Sequence, residues 1–519
     1  MERDKTAAAY EDFQYENLAF RNTHPDWLGT VGRIFGMDPA PADGCRVLEL
    51  GCGPGGNLVP LAELLPGSEF VGVDLSSTQV ARARADAAAI GVGNVRFEAM
   101  DIRDVPDWGP FDYVICHGVF SWVPDDVRRR ILTIASEQLS PQGIAYVSYN
   151  TLPGWHARGM LRAILRRVVP AGPPQEMART ARTFLTILRT QTPERLPLGA
   201  WLRGELALLD RLSDRYLYFE YLVEENVPLY FDEFLQLATD AGLQHLGDAD
   251  VSSMLPSQLG DEGERFVDSI TRTQLEQEQL LDYLTIRLFR RTLLCRTDVP
   301  LEREIDHRVL ADGWIGADLT LEDGTTEAML LGDDEVTFHD PDGLRIQSDD
   351  RISKALLHGL ASAGPAGITT RDAVAHVARL TGATDDEDLT DAVTARAMRV
   401  LVQGRLDAGR WQRPVTGVAP ERPTTTRLVR RQVAGGLDSV VNARQEHRSV
   451  DALDRTLLGA MDGTHDVDGL VAAVLAARDA GVLDVEVAEG SGDEATALRP
   501  LVTDRLALLA ASGLVLDVA

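Results

Sequence analysis

Val47-Leu-Glu-Leu-Gly-Cys-Gly-Pro-Gly-Gly-Asn57 decides the fold. A strand-like apolar run carries Glu49 near its end and opens into a glycine-rich turn closed by Asn57. Gly51, Gly53 and Gly55 alternate through that turn, and residues 58–65 read as a helix. Glycine accepts a left-handed backbone and lets a ligand approach with no Cβ in the way. A strand, a glycine turn and a helix in series imply a nucleotide-like ligand at the carboxyl end of a parallel strand.

Working downstream, Phe70-Val-Gly-Val-Asp74 reads as a second strand ending in a carboxylate, at the spacing of a ribose partner, with Leu75 beside it. Val95-Arg-Phe-Glu-Ala-Met-Asp101 reads as a third, placing Asp101 and Ile102 for the edge and face of an adenine. Phe111-Asp-Tyr-Val-Ile-Cys-His117 is a fourth. Gly143-Ile-Ala-Tyr-Val-Ser-Tyr149 is a fifth, preceded by a turn at 140–143. Strands separated by helical segments predict a parallel sheet with its ligand beyond the carboxyl ends.

This order resembles the class I S-adenosylmethionine-dependent methyltransferases. Their first motif usually reads acidic-x-Gly-x-Gly-x-Gly, as 49–55 does here. The competing pattern is the dinucleotide turn G-x-G-x-x-G, into which Gly51, Gly53 and Gly56 can be forced. A carboxylate at Glu49 would repel a pyrophosphate and attract a cationic methionine end. The resemblance implies S-adenosyl-L-methionine as cofactor, bound by Glu49, Gly51, Gly53, Gly55, Asn57, Asp74, Leu75, Asp101, Ile102 and His117.

Composition bounds the partners. The chain has 519 residues, 51 basic against 80 acidic, and a net charge of −29. That balance opposes a broad nucleic-acid footprint, which needs a basic surface. It suits a cationic substrate, although general acidity is the plainer explanation. Lys5 and Lys354 are the two lysines; arginine carries the positive charge. Four scattered cysteines, Cys45, Cys52, Cys116 and Cys295, lack metal-ligand spacing, and no metal is expected. With no apolar run long enough for a membrane and no leader-like start, a cytoplasmic protein is expected.

The expected fold class is α/β: a Rossmann-like domain, a helical middle domain and a winged-helix-like C-terminal region. Residues 1–44 form an aromatic and helical cap, with Tyr10, Phe13, Tyr15, Phe20 and Trp27 serving either as a lid or as docking groups. Residues 45–170 form the methyltransferase domain, ending before the Pro/Gly linker at 170–174. Residues 171–300 form the helical middle domain, with helices read at 177–188, 204–213, 229–242 and 275–294. In 301–414, three helices and a hairpin at 404–411 resemble a winged helix. Residues 415–519 hold a second such segment, a loose repeat of that plan.

The chemistry is expected after the fourth and fifth strands. His117-Gly-Val-Phe-Ser-Trp-Val-Pro124 and Tyr149-Asn-Thr-Leu-Pro-Gly-Trp-His156 both face the predicted donor. Methyl transfer needs the acceptor's lone pair aligned with the departing sulfur. An amine must first lose its proton, and a dry aromatic pocket lowers its pKa. Trp122 and Trp155 would supply dryness and a cation–π hold. Asn150 would position the acceptor; His117 is either a pocket contact or an acid–base group; His156, Tyr10 and Tyr15 complete the candidates.

Those two stretches are similar to the bacterial methyltransferases that carry a methyltransferase regulatory domain, among them the rickettsial outer-membrane-protein lysine methyltransferases. Leu217-Tyr-Phe-Glu-Tyr-Leu222, Asn226-Val-Pro-Leu-Tyr-Phe-Asp-Glu-Phe234, Arg287-Leu-Phe-Arg-Arg-Thr-Leu-Leu-Cys295 and Asn442-Ala-Arg-Gln-Glu-His447 extend the resemblance over most of the chain. It implies N-methylation of an amine, lysine above all, on a protein or peptide, and a homodimer. Glu220 would hold the cationic amine, or simply pair with an arginine at a helix surface. Phe219 and Asp232 stand where the family pattern has histidines, which puts the acceptor in question. A small-molecule or peptide natural-product methyltransferase of the same fold is the alternative. An interaction protein that binds the donor without turnover is the rival of another class.

Overall fold

The computed structural model describes residues 17–193, 195, 197–485 and 494–517. Its centre is a seven-stranded sheet in the order β3-β2-β1-β4-β5-β7-β6. β1 (Arg46–Leu50), β2 (Glu69–Asp74), β3 (Val95–Ala99), β4 (Phe111–Cys116) and β5 (Leu139–Asn150) are parallel. β6 (Leu243–Asp248) and β7 (Phe289–Arg296) add an antiparallel edge, β7 pairing with β5. Helices cover both faces, so the central strands are largely buried: Val47, Leu48 and Leu50 are all fully buried, whereas edge strand β3 buries only Phe97. Strand order reverses between β1 and β4, and the crevice of such a sheet opens at that switch point.

Local signals account for the helix boundaries. Helix Ser77–Ile90 starts where the Ser76 hydroxyl accepts from Gln79 N, and ends on Gly91 in the left-handed region. Helix Pro25–Ile34 starts with Pro25 at its first position and is capped by His24 Nδ1, which accepts from Asp26 N.

Two sequence expectations are corrected here. The helix read over 275–294 is helix Gln274–Thr285 followed by strand β7. Ile286, in the left-handed region, breaks the helix, and β7 carries a buried arginine that obscures its alternation. Arg290 donates to Asp282 and Glu278, lies 3.8 Å from Asp248, and sits over the Phe231 ring. The middle region 171–300 is therefore helical with two strands contributed to the central sheet. The turn read at 140–143 is the start of β5.

Beyond the sheet, β8 (Trp314–Gly316) is followed by β9 (Thr320–Leu321), β10 (Val336–His339) and β11 (Arg345–Ser348), the last three forming one small sheet. Another sheet, β12 (Ile368–Thr369), β8 and β13 (Asp407–Gly409), packs with helices Arg351–Ala363, Thr370–Thr381 and Glu387–Val402. The hairpin expected at 404–411 is not local: β13 pairs with β8, with Asp407 opposite Gly316. Lys354 is buried there, and its Nζ donates to the carbonyls of Met329, Gly332 and Asp334 at 2.9, 2.8 and 2.8 Å.

The C-terminal module has its own core. Helix Arg427–Ala434 leads into the hairpin β14 (Ser439–Val441) and β15 (His447–Ser449), then helices Ala452–Ala460, Val467–Asp479 and Glu494–Ala511. As in residues 336–409, where β10 and β11 pair before three helices and β13, a hairpin is followed here by three helices, and Leu516 then bridges Val415. Among the described residues, no helix is long and apolar enough to cross a membrane.

Candidate active site

A cleft of about 890 Å³ opens at the carboxyl ends of the parallel strands. The glycine turn makes its floor. Gly51 has φ +81°, and a Cβ there would stand 2.3 Å from Val119 Cγ2. Gly53 N donates to Asp74 Oδ2 at 2.8 Å, and Ser76 N to Asp74 Oδ1 at 2.9 Å. The turn and the end of β2 are thus fixed to each other, with Leu75 exposed beside them. Gly55 lies under the turn instead of lining the cleft: a Cβ would meet Ala83, Phe97 and Val59.

Glu49 lines the cleft and is buried. Asn57 Nδ2 donates to its Oε1 at 3.1 Å, and its Oε2 has no partner among the described residues. Burial pushes the Glu49 carboxyl up to about 8, against the Asn57 hydrogen bond and with some help from Asp74. An orphaned buried carboxylate oxygen beside a glycine turn fits the ammonium end of S-adenosylmethionine. Asp101 and Ile102 line the same cleft. Asp101 caps the turn Ile102–Asp104 by accepting from Arg103 N, and its other oxygen accepts from the Arg103 guanidinium at 2.8 Å.

The opposite wall is aromatic. Trp122 and Trp155 meet edge to face with centroids 6.0 Å apart. Tyr216, Tyr218, Phe219 and Glu220 line the cleft from one helix, Asp214–Tyr221. Burial pushes the Glu220 carboxyl up to about 7, although Arg158 and Arg162 pull it down. Asn150 lines the cleft, its amide donating to Asn226 Oδ1 at 3.1 Å.

His117 stands between the two walls. Its Nδ1 is 2.8 Å from the Tyr146 hydroxyl, and its ring lies 3.7 Å from that of Phe20. Burial and the nearby Arg291 push it down to about 3. It is a neutral hydrogen-bonding group at physiological pH and a weak proton acceptor.

The structure thus gathers Glu49, Gly51, Gly53, Asn57, Asp74, Leu75, Asp101, Ile102, His117, Trp122, Asn150, Trp155 and Glu220 around one cavity. His156 is exposed outside it, 3.2 Å from the Tyr230 hydroxyl. Tyr10, Phe13 and Tyr15 lie outside the described residues. Of the other cap aromatics, Phe20 lines the cleft, whereas the Trp27 indole docks on the Ala249 carbonyl at 2.8 Å. Sequence reasoning missed Asn17, Arg158 and Tyr216. The aromatic density around Glu220 was the available signal for Tyr216; the other two carry none. Among the described residues, no cluster of three histidine, cysteine or acidic residues is placed to hold a metal.

Fold and site together define an S-adenosylmethionine-dependent methyltransferase. A methyltransferase domain model matches residues 47–143. A predicted methyltransferase regulatory domain matches 213–296, and a PKMT C-terminal winged helix domain matches 421–514. The chain belongs to the family of methyltransferases that combine these three parts. It is 30% identical over 488 residues to the uncharacterized protein RP789 of Rickettsia prowazekii, covering 91% of this chain and 87% of that one. It superposes on PKMT2 from Rickettsia typhi in complex with AdoHcy with a TM-score of 0.84, at 26% identity, covering 96% of this chain and 99% of that one. Trans-aconitate 2-methyltransferase of Streptomyces avermitilis is 34% identical over 138 residues, but that match covers 26% of this chain.

Proposed function

We propose that this protein methylates an amine, most readily a lysine side chain, on a protein or peptide. The observation that carries the reading is the position of Glu220: it lines the same cleft as the donor turn, on an aromatic wall. The rickettsial neighbour that shares the whole architecture supports it. S-adenosylmethionine supplies an electrophilic methyl group on a sulfonium. Glu49, the glycine turn, Asp74 and Asp101 would hold it. Trp122, Trp155, Tyr216, Tyr218 and Phe219 would exclude water from the incoming ammonium, which favours its neutral form. Glu220 would attract that ammonium and, with a carboxyl near 7, take its proton. Asn150 and His117 would then orient the amine through neutral hydrogen bonds. We place domain divisions near residues 45, 170, 300 and 414, with β6 and β7 of the middle segment crossing back to complete the catalytic sheet, and propose a cytoplasmic homodimer that does not bind nucleic acid.

The test uses purified protein, methyl-labelled donor and cognate lysate separated into protein, peptide and small-molecule fractions. Acid-stable label on protein or peptide, mapping to lysine or a terminal amine, is expected. Label confined to small molecules overturns the reading. Asp74→Ala is the control, with an expected loss of about 100-fold or more, because hydrogen bonds to charged groups contribute roughly 1.5–3 kcal/mol each.

A further inference from the structure

We propose that the tip of the C-terminal hairpin is part of the donor site's positioning machinery: Gln445, Glu446 and His447 hold Asn57 and the strap at residues 17–24 over the cleft. Asn57 is the hub. Its side chain donates to Glu49 and accepts from Phe20 N and Thr23 Oγ1, each at 3.1 Å. Its own carbonyl accepts from Gln445 Nε2 at 3.3 Å. The strap is tied from its other side. Ala19 N donates to His447 Nε2 at 3.1 Å, and Arg21 pairs with Glu446 at 3.4 Å and with Asp407. Two successive strap amides are thus held by two different parts of the molecule. Asn17, Leu18 and Phe20 of the strap line the cleft, and the Phe20 ring lies on His117.

Simple domain packing would not produce this tip. Gln445 is buried with φ +62°, a conformation that favours glycine. A long polar side chain held there reaches a backbone carbonyl of the donor turn. The hairpin therefore connects through Asn57 to Glu49, and through the strap to His117.

The experiment uses the full chain, with AdoHcy binding measured by calorimetry in the absence of any acceptor. It therefore fails or succeeds independently of the lysine reading. Gln445→Gly keeps the left-handed turn and removes only the side chain; His447→Ala releases the strap. Each is expected to weaken AdoHcy about tenfold, the size of one buried hydrogen bond. The donor KM should rise by the same factor while kcat and acceptor KM change less than about twofold. AdoHcy affinity within twofold of the parent protein overturns the proposal, as does a loss seen in kcat alone. If either variant melts well below the parent, an Arg21→Gln/Glu446→Gln double-mutant cycle reads the same link. Non-additive losses of AdoHcy affinity support it, and additive losses overturn it.

Discussion

Glu49, proposed above to hold the donor, shows how burial can tune one side chain. Buried and half satisfied, its carboxyl sits at about 8 in the unliganded protein, against an ordinary 4.5. It therefore carries a proton near neutral pH. A ligand ammonium placed beside it favours the carboxylate, so binding expels that proton. AdoHcy affinity is expected to rise with pH up to about 8, beyond which the ligand's own ammonium loses its proton and the gain ends. Calorimetry in buffers of different ionisation enthalpy should show proton release near neutrality. Glu49→Gln should abolish both the release and the pH dependence. Unchanged proton release in that variant would place the titrating group elsewhere. This residue was legible in the sequence because its motif is local: the acid, four glycines and Asn57 lie within nine positions, 49–57.

At the scale of elements, β7 is the instructive case. β1, β2 and β4 read as largely apolar stretches and β3 as an alternating one, each ending beside glycine, acid or histidine, so sequence alone places them. β7 reads as helix because Arg290 occupies a core position that pattern assigns to an apolar residue. Its partners Glu278 and Asp282 lie on the preceding helix and are fully buried. Removing one member of such a cluster leaves the others charged and desolvated. Arg290→Met is expected to lower the opening free energy of β6 and β7 by about 3–5 kcal/mol. Hydrogen exchange of amides in those strands measures it. Protection equal to that of the parent would mean the acids neutralise themselves by taking up protons.

At the scale of the whole molecule, five buried groups among the described residues contribute strongly to the response to pH. His24, His117 and His245 are each pushed down to about 3 by burial. Glu49 and Glu220 are pushed up to about 8 and about 7, also by burial. As pH rises through the higher values, the folded chain loses protons that the unfolded chain had already lost near 4.5, so stability falls. As pH drops below 6.5, unfolded histidines take up protons that the folded ones refuse. The two carboxyls offset this acid limb only in part. The melting temperature of the unliganded protein should therefore peak between about pH 6 and 7. Calorimetric scans across pH test this; a melting temperature still climbing past pH 8 would contradict it. Saturating AdoHcy should flatten the alkaline limb. Little at this scale was legible in the sequence. Gln445 reaches Asn57 across 388 positions, and neither residue carries a local sign of the other.

The lysine count has a practical meaning. Lys5 lies outside the described residues, and Lys354 offers all three of its hydrogens to carbonyl oxygens inside the fold. Succinimidyl esters and reductive alkylation therefore meet no accessible lysine among the described residues. An acceptor protein can be amine-tagged in the enzyme's presence while that surface stays silent. A catalyst proposed to modify lysine is, over the same surface, a poor target for itself.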